Sequence, residues 1–114
     1  MNEEKLLSSF DRVVSLLDEY DSFLTKTQLE MLEKHFRYDL SLFEIAEEKG
    51  ISRAAVSDAL NKGIAKLESC EEKLHLLERK ALLKSKIETI LGEEDDKKRL
   101  DKFDDLGKDI IHGI

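Results

Sequence analysis

"SLFEIAEEKGISRAAVSDAL", residues 41–60, decides how this chain is read. Ser41 followed three residues on by Glu44 is a capping box, and Leu40 facing Ile45 makes a hydrophobic staple, so a helix of about Leu42 to Lys49 is predicted. Gly50 then supplies a positive φ without a Cβ clash, and Ser52 caps the next helix with Ile51 and Val56 as its staple. Two helices that cross steeply need a short connection, a small residue at the contact and a left-handed turn residue. Ala46 and Gly50 fill the last two roles, and Ile51, Val56 and Leu60 are expected to point inward and join Ile45. This is the layout of a helix-turn-helix.

Working outward, Thr25 with Gln28 repeats the capping box, and Leu24 and Leu29 repeat the staple, so a second helix starts there. Before it, Leu6, Leu7, Phe10, Val13, Val14 and Leu17 recur at the three-and-four spacing of one apolar face, which predicts a first helix from about Glu3 to Tyr20. Proline is absent, glycine occurs five times, and 39% of the 114 residues are charged. That mixture favours solvated helices over sheets, and the expectation is an all-α protein of one domain. Within residues 1–114, positions 20–67 would form the helix-turn-helix core, 68–91 a long helical extension and 92–114 an acidic helical tail.

With Val56, Leu60 and Ile64 turned inward, the opposite stripe of the recognition helix is Arg53, Ala54, Ser57, Asp58, Asn61 and Lys62, with the cap Ser52 at its head. Arg53 and Asn61 carry the donors and acceptors that pair with guanine and adenine edges. Ala54 could touch a thymine methyl and Ser57 a phosphate or base, whereas Arg37, Lys49, Lys62 and Lys66 suit phosphate contacts. Asp58 opposes DNA, and polar residues on an exposed helix face are also what any solvated helix shows. Three residues after Ser52 stands Ala55 instead of a carboxylate. Either this keeps the helix start attractive to a phosphate oxygen, or Ala55 is small because another helix packs there.

The net charge of −7 argues against a general nucleic-acid coat. The acidity is uneven, however. Between Phe36 and Leu67 the cations Arg37, Lys49, Arg53, Lys62 and Lys66 equal the anions Asp39, Glu44, Glu47, Glu48 and Asp58, and the excess lies in the flanks.

The stretch "LTKTQLEMLEKHFRYDLSLFEIAEEKGISRAAVSDALNKGIAKLES" resembles the promoter-reading carboxy-terminal region of sigma factors, region four. Within that winged-helix-like grouping it is most similar to the YlxM-like proteins of bacteria, over roughly residues 20 to 80 and helped by "CEEKLHLLERK". The resemblance implies a small cytoplasmic regulatory protein with a helix-turn-helix. It also implies a part in the signal recognition particle pathway, through DNA or through contact with components of that particle. Carried over, the recognition helix falls on Ser52 to Lys66, with Arg53, Ser57 and Asn61 outermost. "SDALN" holds fewer basic residues than sigma-like readers usually have there.

From Ser52 to about Leu91 the only breaking signal is Gly63, so the recognition helix is expected to continue into a longer one or break slightly. Leu67, Cys70, Leu74, Leu77 and Ala81 form a seam that could pack on the first helix or on a second copy. A homodimer through this long helix is the expectation. In the tail, Leu100, Phe103, Leu106 and Ile110 recur at helical spacing, with Asp95 or Asp96 as cap. The tail's anions could lie near the motif's basic residues, or the tail could pack as a short helix on the long one.

No catalytic constellation, metal-ligand set or cofactor loop is evident, so no enzyme is expected. His35, His75 and His112 are scattered, and Glu71 with His75, or His75 with Arg79, read as surface pairs. The acidic start lacks the basic flank of a signal peptide, and no apolar run approaches a membrane span. A lone cysteine, Cys70, agrees with a reducing compartment. The expected location is the cytoplasm, without membrane contact.

Overall fold

The computed structural model describes residues 3–113, and the side chains of residues 9–113. Its helices are α1 (Glu3–Tyr20), α2 (Lys26–Leu32), α3 (Leu42–Lys49), α4 (Arg53–Leu74), α5 (Leu76–Leu91) and α6 (Asp96–Ile111). A 3-10 turn at Asp21–Phe23 follows α1 and a π-helical turn at Glu33–Arg37 follows α2. The fold is all-α. No strand occurs among the described residues, so the winged-helix-like part of the resemblance is corrected: no wing accompanies the motif. No helix among them is long and apolar enough to cross a membrane.

The chain divides into two compact units, residues 1–75 and 76–114. In the first, α4 is the central element, contacted by α1, α2 and α3. Its core draws Val13, Leu16, Leu17 and Tyr20 from α1, Met31 and Leu32 from α2, Ile45 and Ala46 from α3, and Val56, Leu60, Leu67 and Cys70 from α4. Leu6 and Leu7, expected on the same face of α1, lie outside the described side chains. Phe10 remains 36% exposed and stacks with His35 and Phe36, at centroid distances of 5.7 and 4.8 Å.

Local chemistry sets the helix starts as expected. Thr25 accepts from the N–H of Gln28 while the Gln28 side chain accepts from the N–H of Thr25, and Ser41 and Glu44 do the same at α3. Gly63 does not break α4. A Cβ there would lie 2.8 Å from Leu32 Cδ1, so the missing side chain is what lets α2 approach α4. The interruption comes at His75 instead, which ends α4 in the left-handed region at φ 55°. His75 has no sequence signature of a breaker, because left-handed residues are usually glycine or asparagine.

The seam expected to run on through Ala81 therefore stops. Leu67 and Cys70 are buried in the first unit, whereas Leu74 is 39% exposed. Glu71, read as half of a surface pair with His75, is corrected to a buried residue: its carboxylate accepts a 2.5 Å hydrogen bond from the Tyr20 hydroxyl.

The second unit is a hairpin of α5 and α6. Asp95 caps α6 by accepting from the N–H of Lys98, at 2.9 Å. The pairs Glu93 with Lys102 (2.8 Å) and Lys86 with Asp109 (2.6 Å) tie the helices in antiparallel register. Of the apolar series predicted in the tail, only Leu106 is buried.

Candidate nucleic-acid interface

Gly50 adopts φ 68° and ψ 34° at the end of α3, and its N–H donates to the carbonyls of Ala46 and Glu47. The Ile51 N–H then donates to Ala46 at 3.1 Å, which closes the turn. Ser52 caps α4 by accepting from the Ala55 N–H at 3.0 Å, and the first turn of α4 holds no acidic residue. Ala55 is exposed, so no neighbouring helix accounts for its small size. The four first-turn N–H groups of this helix thus keep their partial positive charge with only a neutral cap against it.

Ser52, Arg53, Ala54, Asp58, Asn61 and Lys62 are exposed along the outer stripe, and Ser57 is partly buried within it. Val56 and Leu60 are buried beneath. Arg53 places its guanidinium carbon 5.9 Å from the centre of the Phe43 ring, and no carboxylate pairs with it among the described residues. A cation held over an aromatic face keeps its in-plane N–H donors directed outward. Asp58 and Lys62 bridge each other at 3.0 Å, one turn apart, so their charges largely cancel on the stripe.

The expected phosphate contacts separate into two kinds. Arg37 is engaged by Asp18 at 2.6 Å and Glu33 at 3.2 Å, and Lys49 is engaged by Glu30. Lys66 is exposed and carries no ion pair among the described residues. Glu30 also meets Lys34, which is joined to Glu48, so α2 with the π-helical turn after it shares with α3 a network of two cations and two carboxylates. The Lys49 hydrogen bond holds the Glu30 carboxyl below its usual range, helped by Lys34, and Glu48 raises Lys34.

This geometry is a helix-turn-helix with an outward recognition stripe, and it coincides with a recorded family. A family model described as "Putative helix-turn-helix protein, YlxM / p13 like" matches residues 7–106. The chain belongs to this family. It is similar to a UPF0122 protein of Fusobacterium nucleatum, 37% identical over 98 residues that cover 86% of this chain and 94% of the relative. UPF0122 proteins of Bacillus cereus and Bacillus thuringiensis are each 39% identical over 93 residues, covering 79% of this chain and 84% of the relative.

In this YlxM-like chain, sequence reasoning missed two residues beside the stripe. Phe43 is 58% exposed on α3, and Ile51, expected in the core, is 40% exposed. Both line a shallow cleft of about 490 Å³ with Ala46, Glu47, Gly50 and Arg53. Ile51 follows the left-handed turn at Gly50 and stays partly out, while Val56 and Leu60 of α4 are buried with Ile45 and Ala46 of α3. The signal for Phe43 was available: a bulky aromatic two residues after a cap, preceding the buried pair Ile45 and Ala46 by less than a turn, falls on the outer face.

Proposed function

We propose that this YlxM-like protein is a DNA-binding regulatory protein that presents the first half of α4 to a DNA groove. The observation that carries the reading is Arg53: exposed at the head of the recognition helix, held over Phe43, and unpaired with any carboxylate among the described residues. Arg53 and Asn61 act as base readers, Ala54 and Ser57 line the contact, and Lys66 with the capped helix start at Ser52 meets phosphate. Arg37, Lys49 and Lys62 join only when phosphate displaces their carboxylate partners, and Asp58 filters against unfavourable registers. The balanced charge of this segment supports a binder that depends on fit more than on bulk attraction.

The test is fluorescence anisotropy of the full chain on duplexes selected from a random pool. Selection of a consensus, with loss of that preference in Arg53→Ala and Asn61→Ala at unchanged helicity, is the expected result. A wild-type protein that selects no sequence at low salt overturns the reading.

A second reading is favoured by the exposed Phe43 and Ile51: an adaptor that binds components of the signal recognition particle without touching DNA. The family resemblance supports that pathway in either case. Binding of purified particle components that is lost in Phe43→Ser and kept in Asn61→Ala separates it from the first. Both readings describe a non-enzymatic protein of the cytoplasm.

A further inference from the structure

α6 was expected to bury Leu100, Phe103, Leu106 and Ile110, yet the antiparallel register with α5 turns a different face inward. Lys102, Leu106 and Asp109 meet Glu93, Ile90 and Lys86, and only Ile90 and Leu106 are buried in the hairpin among the described residues. Phe103 is 44%, Ile110 54%, Leu100 66% and Ile111 80% exposed. These four fall within one arc of α6 at helical spacing. On α5, Ile87 and Leu91 are 41% and 67% exposed, one turn apart. Both stripes follow the inward-facing residues in the same rotational sense, and in an antiparallel pair equal rotations bring two stripes to the same side.

We propose that this side of the α5–α6 hairpin receives the same hairpin of a second copy of the chain. A two-helix unit of this size with two buried apolar residues lacks the core that small folds need, and self-association is one of the few ways to supply it. Six large apolar side chains exposed on one side of a two-helix unit make the kind of patch that marks an interaction surface. Gly107 marks the point of contact. It lies inside α6 among Leu100, Phe103 and Ile111, where glycine weakens a helix, and a Cβ there would meet nothing within 4 Å, so no contact among the described residues requires the small residue.

Charge selects the occupant. Residues 76–114 carry ten acidic and nine basic side chains, so two copies of this unit meet with little mutual repulsion, while a nucleic acid or an anionic membrane gains little from this surface. The interface differs from the seam suggested by the sequence, because Leu67 and Cys70 are buried within the first unit.

Sedimentation equilibrium of the full chain tests the proposal. Wild type is expected at twice the chain mass across the micromolar range, and the double variant Phe103→Glu, Ile110→Glu at the chain mass with unchanged helicity. Gly107→Ala is expected to keep or raise the helix content while weakening association by about tenfold, since an added methyl at a close approach disrupts packing. A monomeric wild type, or a double variant that keeps the dimeric mass, overturns the proposal.

Discussion

Tyr20 of α1 donates its phenolic proton to the Glu71 carboxylate of α4 across 2.5 Å, in surroundings where Tyr20 is fully buried and Glu71 is 8% exposed. Residues 51 positions apart are thereby fixed to each other at the far end of the recognition helix. Removing one partner of a buried hydrogen bond leaves the other unsatisfied and exposes the full cost of its desolvation. Tyr20→Phe is expected to lower stability by about 1.5–3 kcal/mol, read from urea unfolding. A loss within the scatter of surface substitutions would show that the pair does not hold α1 to α4.

The two glycines of the motif should fail differently when changed to alanine. At Gly50 there is space for a Cβ, so Gly50→Ala costs only the left-handed backbone, about 1–2 kcal/mol. At Gly63 the backbone is ordinary helix but the methyl meets the buried Leu32, and overpacking is expected to cost about 1–3 kcal/mol despite the better helix propensity of alanine. Thermal unfolding of both variants, with a structure of Gly63→Ala showing Leu32 displaced, checks the distinction.

How much of this was legible in sequence follows the range of the interactions. Thr25 with Gln28, Ser41 with Glu44 and the turn at Gly50 were readable because each is settled within four residues. The bounds of α1 and α3 were readable for the same reason. The break at His75, the burial of Glu71, and the exposure of Ile51 and Phe103 were not, since each depends on which distant surface arrives. The recognition stripe is an intermediate case: periodicity placed Arg53 and Asn61 outside, but only the fold reveals that Phe43 lies beneath one of them and that carboxylates occupy Arg37 and Lys49.

Phe43 gives the interface a third handle. On the DNA-binding reading, Phe43→Ala leaves Arg53 charged but no longer oriented, and specific affinity is expected to fall about two- to fivefold, the scale of an exposed cation–π contact. Binding to a scrambled duplex should hardly change. Equal losses on both duplexes would mean that the ring contributes something other than orientation.

The network joining α2 and α3 predicts an acid limb. Glu30 has its folded pKa depressed, first by the hydrogen bond from Lys49, so its contribution is present above the usual carboxylate range and is lost as pH falls through the lower folded value. Lys34, raised mainly by Glu48, contributes below the usual lysine range and loses it as pH rises through the higher folded value. In an NMR titration the Glu30 carboxyl should move upward toward its ordinary value in Lys49→Met. An unmoved midpoint would remove Lys49 from the account.

Cys70 is the one thiol of the sequence, and it is buried in α4, one residue before the Glu71 that Tyr20 meets. A maleimide or a disulfide reagent can reach it only when that region of the bundle loosens. The chain therefore contains its own timer for opening: the speed of thiol labelling counts how often the base of the recognition helix lets go of its support.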